Sequence, residues 1–392
     1  MNFNDEFDSW VLLFGCDSVF AMKFSVKRLL TAILAAFAAF GLIGCGSLED
    51  TSDLTEESSG AYISEETSAF GEAVTIQVFA MDSYMELTAY GENAQEALDK
   101  IAEEIETLDS LLSVTDEDSE IYALNNAGGE AVEVSGTVIS LISFAKEIGA
   151  QSGGALDITI YPVLKAWGFT TGSYQVPSDS EIEELLSFVD QSLIEIDEEA
   201  GTVTLPEGMQ IDLGSVVKGY VCSVAGDILE EFGVECALLN FAGSTIGLVG
   251  TKTDKSSWNV AIQDPEDDYS YAGILSAENV TIDTSGGYER YFTDDDGNVW
   301  WHIIDPETGK PADSGLISVS IISEDSLLGD ALSTACFVMG LDDTVEYWQT
   351  YGGFEFILIT EDHEIYISEG IADDFTPVYD YADAQLTVVY YE

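Results

Sequence analysis

Beyond residue 73 the apolar residues of this chain switch repeatedly between strand-like and helix-like spacing, and few folds accommodate that alternation. Residues 74–79 and 85–90 alternate as strands. Residues 94–112 then place Ala97, Leu98, Ile101, Ile105, Leu108 and Leu111 on one helical face. Further helices are predicted over 138–150, 178–188, 215–232 and 328–339. Strands are predicted over 236–240, 258–263, 274–276, 280–284, 291–293, 300–304, 316–322, 354–360 and 364–368, and 201–205 with 209–213 read as a hairpin. Strands in pairs with helices between them predict an α+β domain of mixed or antiparallel sheets flanked by helices. No segment repeats at a fixed period.

A hydrophobic fraction of 46% permits a full core despite 74 acidic against 11 basic residues, a net charge of −63. Affinity for nucleic acid comes mainly from Lys and Arg neutralising phosphates, so this balance excludes a nucleic-acid partner. It also argues against charge-driven binding to an anionic membrane. The N-terminus nonetheless points to export. Lys23, Lys27 and Arg28 precede the apolar run 29–43, which is too short to span a bilayer and reads as a secretion signal. Its end, Leu42-Ile43-Gly44-Cys45, resembles a bacterial lipobox. That resemblance implies diacylation of Cys45 and a lipid-anchored, extracytoplasmic protein; the plainer alternative is an ordinary signal peptide. Residues 1–21 are acidic and read as an upstream extension ahead of a start at Met22, 46–70 as an acidic tether, and 71–392 as the functional domain. Cys222, Cys236 and Cys336 lie in apolar runs without Cys-x-x-Cys spacing and read as buried thiols.

Only eight cations follow Cys45: Lys100, Lys146, Lys165, Lys218, Lys252, Lys255, Arg290 and Lys310. One of them, Arg290, and one of the two histidines, His302, fall in residues 283–309, beside a Thr284-Ser285-Gly286-Gly287 turn, so an anionic ligand is the first expectation there. His302 as a neutral imidazole accepts a proton, and as a cation orients a phosphate. Asp330 and Thr334 share a helix face and offer hard oxygens suited to Mg²⁺; alternatively Asp330 caps its own helix after Gly329. In residues 211–219 a strand runs through Gly214 and Ser215 into a helix start, leaving free N–H groups near Lys218 for a phosphate, or else an ordinary turn. Residues 153–162 with Trp167 and Phe169 supply either a wall for a flat heteroaromatic ligand or core packing.

Taken together and in order, FAMDSYM (79–85), SEIYALN (119–125), GGALDITIYP (153–162), WGF (167–169), IDLGSVVKG (211–219), NFAGS (240–244), DTSGGYER (283–290), HIIDPETG (302–309) and GDALSTA (329–335) resemble the ApbE family of FAD:protein FMN transferases. The resemblance covers residues 74 to 369. It implies an enzyme that binds FAD and Mg²⁺, transfers FMN to a threonine of an exported or membrane protein, and releases AMP. Asp330, Thr334 and the Ser215 carbonyl become the expected Mg²⁺ ligands. Lys218, Thr284 and Ser285 are expected near the FAD phosphates, His302 as activator of the acceptor hydroxyl or phosphate contact, and Met81, Trp167 and Phe169 as flavin or adenine contacts. Asp330→Ala is then expected to abolish transfer while the fold survives. Ser83, Ala242 and Leu156 depart from the commoner threonine, glycine and phenylalanine, and none removes an expected ligand. The rival readings are a Mg²⁺-dependent FAD pyrophosphatase and a non-catalytic flavin-binding lipoprotein.

Overall fold

The computed structural model describes residues 70–391. The upstream extension, the signal with Cys45 and the tether through residue 69 lie outside the described residues. In chain order the strands are β1 (Ala73–Ala80), β2 (Ser83–Tyr90), β3 (Val132–Glu133), β4 (Glu195–Asp197), β5 (Thr202–Thr204), β6 (Ala237–Phe241), β7 (Thr245–Val249), β8 (Trp258–Asp264) and β9 (Asp267–Ala277). They continue with β10 (Thr281–Gly286), β11 (Tyr291–Thr293), β12 (Val299–Trp301), β13 (Leu316–Ser323), β14 (Glu355–Thr360), β15 (Ile365–Ser368), β16 (Phe375–Pro377) and β17 (Leu386–Val389). The helices are α1 (Ala94–Leu112), α2 (Glu120–Asn125), α3 (Gly136–Gln151), α4 (Tyr161–Trp167), α5 (Asp179–Leu186), α6 (Val217–Glu231) and α7 (Ser326–Tyr351).

A nine-stranded sheet in the order β1-β2-β6-β7-β10-β13-β14-β15-β17 organises the molecule. Its pairs are antiparallel except β15 with β17, so the sheet is mixed and the α+β expectation holds. One face packs on α1, α6 and α7. α1 buries Ala94, Ala97, Leu98, Ile101, Ile105, Leu108 and Leu112, so Leu112 rather than Leu111 ends the apolar stripe. Each large side chain so buried contributes about 1.5–3 kcal/mol. The other face, with Ile246, Leu248, Ile282, Ile322 and Ile357, packs against the small sheet β16-β9-β8. Among the described residues no helix is long and apolar enough to cross a membrane.

Two element expectations fail. Residues 209–213 are not a strand; β5 pairs instead with β3 and β4, because Ile211 is held on both sides by the side chain of Asn125. The helix expected to stop at Met339 does break at the next residue, Gly340, with φ 81°, but resumes to Tyr351. Ser314 secures the break by donating its hydroxyl to the Phe337 carbonyl at 2.5 Å.

Candidate active site

One end of the large sheet gathers most of the residues singled out above. The β6–β7 turn brings Ser244 there, and Asp283 pairs with Thr245 across β10–β7. Because Met85 pairs with Phe241, the β1–β2 turn with Met81 projects beyond β6 at this same end. Met81 adopts φ 52°, and its N–H donates to Asp109 Oδ1 at 3.0 Å, which pins the turn to α1.

Two spacings bring β10 and α7 into register. Strand residues two apart are separated by roughly 6.6 Å and one helical turn rises about 5.4 Å, so paired contacts repeat along both elements. Asp283 lies against Gly329, where a Cβ would stand 2.2 Å from Asp283 Oδ2. One repeat on, Ser285 Oγ meets Ser333 Oγ at 2.8 Å and Thr334 Oγ1 at 3.4 Å. Thr284 points to the opposite face, sharing a hydrogen bond with Ser320 at 2.8 Å.

Asp330 does not cap its own helix, since Asp325 does so by accepting the Leu328 N–H at 3.2 Å. It reaches across to α6 and accepts the Gly219 N–H on Oδ2 at 2.8 Å. With Val216 as N-cap, that N–H is one of the first-turn donors without an acceptor inside the helix, and Asp330 satisfies it. Gly219 permits the approach: a Cβ there would lie 2.2 Å from the Ser326 carbonyl and 2.6 Å from Asp330 Cβ. The expected cradle of free N–H groups before Lys218 is therefore not present. Val217 N–H bonds back to Leu213 at 3.0 Å and Gly219 N–H goes to Asp330, so the Lys218 side chain carries any anion binding here.

The charges are arranged unusually for so acidic a chain. Lys218 donates to Ser244 Oγ, and neither it nor Arg290 forms an ion pair; the ion pairs among the described residues are Lys100–Glu103, Lys310–Asp179 and His363–Glu266. Lys218 and Arg290 feel nearby carboxylates, Asp330 and Glu289 for the first and Glu289 and Asp212 for the second, without closing a direct ion pair, so their N–H donors remain available to an anionic ligand. Burial pushes the Asp283 carboxyl well above the ordinary range, and Asp330 pushes it further. Burial also raises Asp330, against the pull of Lys218 and the Gly219 N–H. Glu289 is raised by burial and pulled back by Lys218 and Arg290.

His302 keeps some surface exposed but is crowded on most sides by protein. Desolvation first, then the charges of Arg290 and Lys218, lower it to about 3, so the ring is neutral. Its Nδ1 faces the Arg290 carbonyl at 3.2 Å. A carbonyl only accepts, so Nδ1 holds the proton and Nε2 holds the lone pair. The alternative of a cationic phosphate contact is thereby disfavoured at neutral pH.

Trp167 requires correction as a flavin contact. It is 1% exposed, its Nε1 donates to the Gly309 carbonyl at 2.9 Å, and it packs on Trp300 at 5.1 Å, which leaves no ring face for a ligand. Phe169 is buried as well, but meets the His302 ring edge-on at 6.3 Å and so forms the wall behind it. The sequence reading missed Asp283, Ser244 and Glu289. The one available signal was a carboxylate in mid-strand flanked by Ile282 and hydroxyls.

Asp330, Thr334 and Ser285 offer hard oxygens on the facing turns of α7 and β10, and beside them the buried Asp283 Oδ1 makes no well-formed hydrogen bond, with the Thr245 hydroxyl its nearest polar neighbour across the strand pair. Such a set fits Mg²⁺, which retains water and substrate oxygens rather than demanding a full protein cage. Among the described residues no cluster of three or more His, Cys, Asp or Glu side chains suited to a metal occurs.

The ApbE family profile matches residues 81–358. A Klebsiella pneumoniae protein named FAD:protein FMN transferase is 32% identical over 277 residues, spanning 70% of this chain and 85% of that protein. One of the same name from Treponema pallidum is 32% identical over 295 residues, spanning 71% and 80%. The crystal structure of the ApbE protein of Thermotoga maritima superposes with a TM-score of 0.71 at 32% identity, covering 76% of this chain and 98% of that one. The apo form of the Pseudomonas stutzeri flavinyl transferase ApbE gives 0.65 at 25% identity, covering 74% and 92%. With sequence and fold matched across the segment that holds Met81, Lys218, Asp283, His302 and Asp330, the chain belongs to the ApbE family.

Proposed function

We propose that this protein transfers FMN from FAD to a threonine hydroxyl of an acceptor protein, in a Mg²⁺-dependent reaction that releases AMP. The observation that carries the reading is the pair of cations without a direct ion pair, Lys218 (held by Ser244) and Arg290, whose charges reach Asp330 and the neutral ring of His302, with Thr334 and Ser285 alongside. Phosphoryl-type transfer depends mostly on positioning and charge neutralisation, which this set supplies. Mg²⁺, held by Asp330, Thr334 and the Ser215 carbonyl, neutralises diphosphate charge when bound.

Lys218 and Arg290 orient the diphosphate, with Ser285 nearby and Met81 at the flavin end, while Thr284, turned to the opposite face of β10, takes no part. The threonine oxygen forms a bond to the FMN phosphorus, the bridging P–O bond breaks, and AMP leaves with that oxygen. The threonine proton passes to Nε2 of His302. With FAD in place, its negative charge offsets the Arg290 and Lys218 charges that lower His302, so the ring becomes a better base in the complex than alone. Residues 71–392 constitute the catalytic domain, and Cys45 carries a lipid anchor that holds it on the extracytoplasmic face, near exported or membrane acceptors such as electron-transfer subunits.

The test is incubation of the purified protein with FAD and Mg²⁺, with and without an FMN-accepting domain, followed by mass spectrometry. Acceptor mass gain with AMP, both lost in EDTA, supports the transferase. FMN and AMP without labelling of any acceptor marks a pyrophosphatase, and intact FAD throughout marks a binding protein. Cys45→Ser is expected to move the protein from the membrane fraction to the soluble one.

A further inference from the structure

Asp283 sits in the interior of β10 at 0% exposure. Its Oδ2 accepts the Thr281 hydroxyl at 2.9 Å, while its Oδ1 makes no well-formed hydrogen bond and has beside it only the likewise unsatisfied hydroxyl of Thr245 on the paired strand. The common structural duties of a buried aspartate are already filled by others here. Asp325 caps α7 and Asp330 ties α6 to α7, whereas Asp283 caps no helix and forms no ion pair among the described residues. The backbone of Gly329 presses against it so closely that a Cβ would lie 2.2 Å from Oδ2. Strand and helix thus hold Asp283 against the turn of α7 that carries Asp330, itself only 7% exposed. Two carboxylates in so dry a place repel one another, and the single Lys218 ammonium, which acts on both, offsets one negative charge of the two.

We infer that Asp283 is a second carboxylate of the divalent-cation site formed by Asp330 and Thr334, and that this aspartate pair sets the site's affinity. The inference rests on the Mg²⁺ reading above. Hard-cation sites gain affinity with the number of negative ligands, so an Asp–Asp–Thr site binds more tightly than one aspartate and one hydroxyl. A bound ion also removes the repulsion that the cation-free protein sustains.

The probe is Mn²⁺ alone, titrated without FAD into the metal-stripped protein, with unbound ion read by electron paramagnetic resonance and melting temperature followed in parallel. Asp283→Asn keeps volume and the acceptor for Thr281; Asp283→Ser covers the case in which the amide fits poorly. Both are expected to bind Mn²⁺ at least tenfold more weakly than the parent protein, with a cation-free melting temperature no lower than the parent's. A merely structural Asp283 gives the reverse pattern, a lower melting temperature with unchanged affinity, and overturns the inference. Failure of both variants to fold also overturns it, because relief of a repulsive contact is not destabilising. A parent protein that binds no Mn²⁺ removes the cation reading itself, a failure separate from equal binding by parent and variants.

Discussion

Gly219→Ala tests whether the α6–α7 contact sets the geometry of the site. The added Cβ would lie 2.2 Å from the Ser326 carbonyl oxygen and 2.6 Å from Asp330 Cβ. An ordinary carbon–oxygen contact is about 3.3 Å, so the helices must separate by about 1 Å. Overpacking of this kind costs about 1–3 kcal/mol, and the helical preference for alanine over glycine returns about 1 kcal/mol. The net loss of stability is therefore about 0–2 kcal/mol. Activity is expected to suffer far more. The Gly219–Asp330 bond of 2.8 Å runs through this contact, and Lys218 is its neighbour. A displacement of about 1 Å in such a group costs on the order of 100-fold in rate. The assay is the FAD-dependent labelling rate beside thermal melting, with Gly226→Ala as control. Gly226 occupies the same helix, and a methyl added there would meet nothing within 4 Å, so alanine at that position is expected to raise stability at full activity. Gly219→Ala with parental rate and stability would falsify the claim that this contact positions the site.

Three further outcomes follow from the same geometry. Asp330→Asn keeps an oxygen for the Gly219 N–H but loses the charge, so transfer is expected to vanish with little change in melting temperature. Asp330→Ala also strands that buried N–H at about 1–3 kcal/mol, and a melt of the two variants separates the effects. His302 is lowered from 6.5 to about 3, so the native state favours the neutral ring; its contribution is complete above pH 6.5 and is lost as pH falls towards 3. His302→Asn is therefore expected to lose less stability than the parent between those limits, read as urea midpoints against pH, and to lower turnover more than FAD affinity. Arg290→Gln is expected to raise the KM for FAD about tenfold, the usual scale of one charged hydrogen bond, and unchanged KM at low salt would exclude its diphosphate role.

Much of the architecture is legible in local pattern. The apolar stripe of Ala94–Leu112 and the alternation of β1 and β2 report backbone periodicity, which depends on residues only a few positions apart. The i, i+4 pair Asp330 and Thr334, the scarcity of cations and the order of the motifs are legible for the same reason, and they suffice to identify the family. What a side chain does with its neighbours is decided elsewhere. Asp330 meets Gly219 across 111 residues, Ser285 meets Ser333 across 48, and Trp167 finds its acceptor at Gly309 across 142. No local period encodes such contacts; the strand order β7-β10-β13 and the glycines Gly219 and Gly329 create them. Hence Trp167, an aromatic by composition fit for a ligand wall, belongs to the core, and Asp283, inconspicuous in its strand, is pressed against the Gly329 backbone, next in the chain to Asp330. The sequence by itself determined which elements form and which chemical groups they carry. Only the tertiary structure decided which groups share a desolvated space, because burial and repulsion arise between elements and act only once those elements are packed.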